Sequence, residues 1–252
     1  MTLAPRSKQQ IHALMKLREM ILAGEFAPGE RVSELAVVEK LGISRTPVRL
    51  ALNILQHEGF LQGQTGGGYR VREFSQQDVL DAIEIRGVLE GAAARLAAER
   101  RPSEEELDAL RQTCRELDTV VKQDMSPDVL QRYSDLNGQF HDQLLALSRS
   151  PMLARSLSHV EALPFASPNA FVFVGFADNE RSDILKFAQH QHADIVEAIS
   201  LGEGGRAEAL TREHARLARR NLATAQQRVD LLKEVPGSFL FAADAGPEEG
   251  RD

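Results

Sequence analysis

The sequence predicts a mainly α chain in two parts, an N-terminal winged helix-turn-helix domain followed by an all-helical bundle domain. Three observations carry this. Two short apolar-periodic stretches flank Gly42 between residues 34 and 55, a short helix, tight turn and second helix. A glycine-rich turn, Thr65-Gly66-Gly67-Gly68, follows between two short alternating runs, the pattern of a β-hairpin. From Ser75 onward the period is helical, punctuated by Pro and Gly, with no βαβ alternation and no Gly-rich nucleotide loop. A chain of 252 residues suits two domains. The expected limits are 1–73 (helix-turn-helix about 34–53, wing about 60–72) and 75–230, with 231–252 a poorly ordered tail.

In the first part, Ile11, Leu14, Met15, Ile21 and Leu22 recur at roughly helical spacing, and Gly24 and Pro28-Gly29 stop the helix. Ser33 is placed to cap a second helix with apolar Leu35, Val38 and Leu41. After Gly42, Ser44 is placed to cap a third carrying Val48, Ala51, Leu52 and Leu55. Pro47 is compatible with a first turn, where backbone amides have no intrahelical acceptor. The runs 60–64 and 69–72 form the wing.

The polar residues of the third helix gather at its start. In helix-turn-helix docking these residues reach base edges in the major groove. An arginine can bond guanine O6 and N7 in bidentate fashion, and a threonine can meet a base or a thymine methyl. Ser44, Arg45, Thr46 and Arg49 are therefore candidate DNA contacts. Gly66 and Gly67 would let the wing backbone approach a duplex, and Arg70 or Arg72 could meet phosphate. The net charge of −7 must be split before use. Residues 1–75 hold ten basic and seven acidic side chains, and residues 76–252 hold twenty and thirty. The basic excess lies at the end expected to touch phosphate.

In the second part, Ser75 and Asp78 form a box-like start, and Val79, Ile83, Leu89 and Ala93 continue at helical spacing. Pro102 breaks that helix, and Ser103 with Glu106 caps the next, which is expected to run to about Gln123. Ser126-Pro127 and Ser150-Pro151 start two more. Pro164 and Pro168 bracket a loop, and Phe171–Val174 fits either a helical turn or an extended segment. Long helices are expected at about 179–201 and 205–228. The one cysteine, Cys114, cannot form an internal disulfide and reads as a small apolar filler in a reducing cytoplasm. There is no apolar run long enough to span a membrane and no apolar core of a signal peptide.

Three histidines lie on or near the inward stripes of their helices: His141 beside Leu144 and Leu145, His192 with Ile195 and Ile199, His214 with Leu210 and Leu217. Gly202–Gly205 is a turn between two helices that should pack antiparallel. His192 lies eleven residues before Glu203 and His214 eleven after it, so both rings should stand at one height, roughly 16 Å from the turn. Asn137 and His141, four apart, share a face. Three imidazoles and an amide oxygen converging in a bundle core would make a metal site with positions left open, with zinc or nickel the expected ion. Asp135 and Asp142 are nearby in sequence and could orient these ligands. His12, His57, His159 and His190 fall outside this construction and read as surface or packing residues.

The run Ile21–Arg31, then Leu41-Gly42-Ile43-Ser44-Arg45-Thr46-Pro47-Val48-Arg49, then Glu58-Gly59-Phe60 and the wing resembles the GntR family of bacterial regulators. The resemblance implies operator contacts by Arg45, Thr46, Arg49 and the wing glycines. Family members usually carry Glu where Leu50 stands, so the DNA sequence read can differ. The segments Ile85–Glu90, Asn137–His141, Gln191–Ile195 and Glu213-His214 resemble the FCD ligand-binding domain. That implies metal ligands at Asn137, His141, His192 and His214, where many members carry Asp in place of Asn137. Arg86, on the face of Ile83 and Leu89, is a candidate anchor for an effector carboxylate, against the plainer reading of an ion pair with Glu90.

The expectation is a cytoplasmic, homodimeric transcription regulator and not an enzyme. It would bind a double-stranded operator, repress a metabolic operon and sense a small carboxylate through a metal-containing pocket. Three rivals remain: a regulator for which the ion itself is the signal, a regulator whose metal is purely structural, and a metal-dependent hydrolase. The last lacks a clear general base.

Overall fold

A computed structural model of the chain describes residues 8–170, 178–227 and 238–240. These divide into two compact units. The first comprises residues up to Asp78 with 162–164 and 238–240, and the second holds 79–161, 165–170 and 178–227.

The first unit runs α1 (Lys8–Leu22), β1 (Arg31–Val32), α2 (Glu34–Leu41), α3 (Arg45–His57), β2 (Leu61–Gly63) and β3 (Tyr69–Val71). The strands form an antiparallel sheet in the order β1-β3-β2, with Arg31 opposite Arg70 and Gln62 also opposite Arg70 on the other side. β2 and β3 are the expected hairpin. β1 is an addition, too short to show a two-residue period. α1 packs on α3, and Leu17, Ile21, Leu52 and Leu55 of the two helices are fully buried.

The face of α1 differs from expectation. Ala13, Leu14, Leu17, Met20 and Ile21 are inside, while Ile11 and Met15 are exposed. In α2 only Val37 is buried, and Leu35 is exposed. Both are small rotations of a helix whose apolar residues outnumber the places available in a small core. Ser33 caps α2 by accepting from the Ala36 amide, and Gly42 ends it in the left-handed region. Of the expected tail, Ser238–Leu240 forms a 3-10 turn in which Leu240 is buried and its carbonyl accepts from the Phe74 amide. That portion is anchored, contrary to expectation. The rest of 231–252, and Phe171–Val174, lie outside the described residues.

The second unit contains α4 (Gln76–Glu99, from Val79), α5 (Glu104–Val120), α6 (Pro127–Leu147), α7 (Pro151–Glu161), α8 (Asp178–Leu201) and α9 (Gly204–Gln227). The Ser103/Glu106 capping box forms with both bonds, and Ser126 caps α6 with Pro127 at the first helical position. α5 packs on α6 and α8 around a core that includes Leu110, Leu117, Phe140, Leu144 and Ile195. α8 and α9 pack as a hairpin turned at Gly202 and Glu203. α4 meets α9 closely at two glycines. A Cβ at Gly87 would stand 2.9 Å from that of Ala215, and one at Gly91 would stand 2.8 Å from Arg212 Cγ and 3.1 Å from the Glu208 carbonyl. Only glycine permits that approach, and it brings the neighbouring Arg86 and Glu90 to the histidines.

Candidate nucleic-acid interface and metal centre

The first candidate site is the start of α3 with the wing. Val48, Ala51, Leu52 and Leu55 are buried with Pro47, and this turns Ser44, Arg45, Thr46 and Arg49 to solvent. Ser44 occupies the N-cap position, yet its hydroxyl makes no capping bond. An N-cap oxygen takes the amide of the second or third helical residue, and the third here is Pro47, which has none. The expected cap is thus only positional, and the hydroxyl remains available.

Arg49 holds Glu34 in a bidentate pair, 2.8 Å from Nε and 3.0 Å from Nη2. The hydrogen bond from Arg49 holds the Glu34 carboxyl below its usual range. A groove between the wing and the helices is lined by Arg31, Arg49, Asn53, Gly66, Gly67 and Tyr69, among others. Gly67 has φ +84 and faces open space, and Gly66 is equally open. Arg31 donates to the Gly67 carbonyl at 3.1 Å, and Tyr69 to Asn53 Oδ1 at 2.5 Å. Arg70 folds its guanidinium onto the Gly29 carbonyl. Arg31, Asn53 and Tyr69 were not legible as site residues, because no local pattern ties β1 to the wing.

The second candidate site lies in the helical unit. His141 of α6, His192 of α8 and His214 of α9 present ring nitrogens that all lie within 4.8 Å of one another. The hairpin sets His192 Nε2 3.0 Å from His214 Nε2, the equal-height arrangement read from the sequence. His192 Nδ1 lies 3.2 Å from Gln189 Oε1, and Gln189 donates its amide nitrogen to the Cys114 carbonyl at 2.7 Å. That bond fixes the amide with its oxygen toward the ring, so Nδ1 carries the hydrogen and Nε2 a lone pair. Gln191 Oε1 stands in the same relation to His214 Nδ1, at 3.2 Å. The two Nε2 atoms therefore face each other at hydrogen-bond distance, with a lone pair on the His192 side.

His141 completes the set. Its Nδ1 lies 2.8 Å from Glu90 Oε1, without the alignment of a hydrogen bond. The carboxylate beside this histidine is thus Glu90, not Asp142 or Asp135. Those two are exposed, and Asp135 accepts from Gln131. Sequence neighbours of His141 point away from it on the helix, whereas Glu90 arrives from α4.

Burial disfavours the charge on His192, and His214 and His141 add to the effect, so its pKa falls well below the usual value. Burial and His141 push His214 down to about 3 against the pull of Glu90. Burial opposes ionisation of Glu90, but His141 and Arg86 outweigh it and hold its carboxyl down to about 2. Glu161, at the end of α7, is pushed up to about 7 by burial and by the Glu90 charge. Imidazole nitrogens converging on one point, backed by an ionised carboxylate, fit a divalent cation.

Asn137 is buried and lines a cavity of about 50 Å³ with Arg86 and His214. Its amide nitrogen donates to Asn169 Oδ1 at 2.9 Å, and Asn169 in turn donates to the Ser134 carbonyl, which leaves the Asn137 oxygen as the other end of that amide. Arg86 is 3% exposed, its Nε is 3.9 Å from Glu90 Oε2, and Nε and Nη1 have no hydrogen-bond partner. The plainer reading of an Arg86–Glu90 pair is therefore present, but it satisfies little of the guanidinium. His12, His57, His159 and His190 are all exposed, and Cys114 is buried. Among the described residues no helix is long and apolar enough to cross a membrane.

A winged helix-turn-helix joined to a helical unit of this kind defines a DNA-binding transcription regulator rather than an enzyme. Residues 9–71 match the bacterial regulatory proteins of the gntR family, and residues 81–217 match the FCD domain. The chain belongs to the GntR family, in its FCD-bearing branch. It is 34% identical over 149 residues to the Nta operon transcriptional regulator of Aminobacter aminovorans, covering 58% of this chain and 68% of that one. It is 31% identical over 148 residues to the HTH-type transcriptional regulator YdhC of Bacillus subtilis, covering 59% and 64%. The chain thus spans about two thirds of the length of these relatives. The fold is shared with E. coli McbR/YncC, at a TM-score of 0.59 and 19% identity over 89% of this chain and 100% of that one.

Proposed function

We propose that this regulator is a cytoplasmic, homodimeric repressor of a metabolic operon that senses a small carboxylate in its helical unit. In this reading Ser44, Arg45, Thr46 and Arg49 read the operator, while Gly66, Gly67 and Arg70 hold the wing to the duplex. Asn137, His141, His192 and His214 hold a divalent metal, zinc or nickel. Arg86 takes the effector's carboxylate. The carrying observation is the pair of Nε2 atoms 3.0 Å apart with Arg86 buried and under-satisfied beside them. Buried polar groups without partners are unfavourable by ~1–3 kcal/mol each, and a cation and an anion would satisfy both sets at once.

A bound divalent ion supplies a Lewis-acidic point for a carboxylate oxygen. The chain's own residues do the remainder. Gln189 fixes the tautomer of His192, and Gln191 faces Nδ1 of His214. Glu90 orients His141 and balances charge. Arg86 offers a planar fork to the carboxylate. Ile85 and Val88 stand exposed on α4, an apolar strip suited to contact with a second copy. Effector binding changes operator affinity only to the extent that it favours one state of the dimer over the other.

The test is a mobility-shift assay on the DNA flanking its own gene, with zinc alone and with zinc plus a panel of carboxylic acids. The expected result is retardation relieved only when an acid is added. Relief by zinc alone would favour the ion as signal, and failure to retard any flanking DNA would overturn the reading.

A further inference from the structure

We infer that Asn53 and Tyr69 are positioning residues for DNA binding: with Gln56 they clamp the glycine-rich wing to α3, so that wing and helix approach a duplex as one head. The wing cannot hold its own direction. β2 and β3 are three residues each, and a lone two-stranded hairpin is marginal in water. Its tip is Thr65-Gly66-Gly67-Gly68, with Gly67 at φ +84 and Gly68 at φ +86. Glycine gives up more backbone freedom on ordering than any other residue. Two backbone bonds close the tip, from the Gly67 amide to the Gln64 carbonyl at 2.9 Å and from the Gln64 amide to the Gly68 carbonyl at 3.1 Å. Neither ties it to the helix.

The tie comes from side chains at one rung of the hairpin. At its root Leu61 and Val71 are paired and buried. Two rungs further out Gly63 pairs with Tyr69, and both meet α3 there. The Tyr69 hydroxyl donates to Asn53 Oδ1 at 2.5 Å. Gln56 lies across Gly63, where a Cβ would stand 2.9 Å from Gln56 Nε2 and 3.3 Å from its Cδ. Asn53 and Gln56 are three residues apart and share a helix face, and Arg49 stands one turn earlier on it. The last rung before the glycine tip is therefore gripped on both strands by the helix that carries Arg45 and Arg49. Arg31 of β1 adds a third hold, on the Gly67 carbonyl at 3.1 Å. A wing ordered before contact spares the complex the cost of ordering it at contact, and that gain is the same for any duplex sequence. The clamp thus sets how tightly DNA is held and not which bases are read.

The experiment compares full-length wild type with Tyr69→Phe, Asn53→Ala and the double variant. The probes are a duplex that the wild type selects from a random-sequence library and a scrambled duplex of equal length. Hydrogen exchange of the DNA-free proteins, read by mass spectrometry, is the second readout. Each single variant is expected to lose roughly three- to ten-fold in affinity for both duplexes, the size of one neutral hydrogen bond. The double variant should fall no more than about two-fold below the weaker single. Peptides spanning 62–72 should exchange at least about three-fold faster, while those of α3 stay unchanged. Asn53→Asp keeps an oxygen to accept from Tyr69, so its wing should exchange within about two-fold of wild type, even though the added charge weakens DNA binding. Wing exchange unchanged in both single variants would overturn the clamp. So would losses that add in the double variant, since the two side chains would then act on DNA separately. A loss confined to the selected duplex would make Asn53 or Tyr69 a base-reading group and overturn the positioning role. Faster exchange throughout the first unit would mark a purely structural role and overturn it as well.

Discussion

The two units keep their chemically important side chains under opposite conditions. In the first, Ser44, Arg45, Thr46 and Arg49 all stand in solvent, and Arg49 is paired with Glu34 at the surface. In the second, Arg86, Glu90, His141 and His192 are almost entirely out of water, and several of their polar atoms lack partners. An exposed arginine is hydrated whether or not a duplex is present. A buried, under-satisfied one destabilises the fold until something binds it. The exposed set is thus satisfied by water alone, and the buried set is not.

The largest expected effect tests the buried half of this contrast. His192→Ala combined with His214→Ala should reduce metal from about one ion per chain to almost none after dialysis, by elemental analysis, since two ligands of a tetrahedral-type set are lost. A full complement in the double variant would show that the cluster is packing. Next, Arg45→Ala should weaken specific DNA binding by roughly ten- to a hundred-fold in mobility shift, the range of one base-reading arginine. Its melting temperature should remain near that of wild type, because Arg45 is exposed. A stability loss comparable to the binding loss would blur the distinction between the units.

A smaller effect follows from the depressed imidazole pKa values. In metal-free protein, His214 titrates at about 3 against an ordinary 6.5, and His192 is also depressed. The folded state then binds fewer protons than the unfolded state between those values. Stability is fully present above about 6.5 and is lost as the pH falls toward 3. Thermal melts of chelated protein from pH 7.5 to 5 should show a falling midpoint, and bound zinc should raise the midpoint across that range. A flat profile would place these rings in a wetter setting than the structure gives them. The smallest effect concerns Glu34→Gln. Loss of an exposed pair changes stability by less than ~1 kcal/mol, yet removing a negative charge and releasing Arg49 should tighten DNA binding a few-fold. Weaker binding would mean that the pair pre-positions Arg49.

Sequence reading reached different depths in the two units. α3 was legible because its pattern is local: residues 44–55 contain an N-cap position, a polar start and an apolar stripe in one stretch. The hairpin histidines were legible because helix rise converts equal spacing into equal height. Glu90 beside His141 and Gln189 on the Cys114 carbonyl were not, since each depends on which helices become neighbours. The choice of Asp135 and Asp142 failed for the same reason, nearness along the chain having been taken for nearness in space. Ser44 failed as a side-chain cap because Pro47 removes the amide, an interaction visible in the sequence once the two positions are considered together.

The symmetric hairpin of α8 and α9 has a consequence for how such chains can change in length. A residue inserted in either arm between a histidine and the turn would slide its ring about 1.5 Å and swing it about 100° around the axis, out of reach of the opposite ring. Residues inserted at the Gly202–Glu203 bend itself would leave both arms intact. Length variation among natural or engineered descendants should therefore collect at the bend, and the tally of residues from bend to ring on each side becomes a yardstick for spotting copies whose two rings no longer meet.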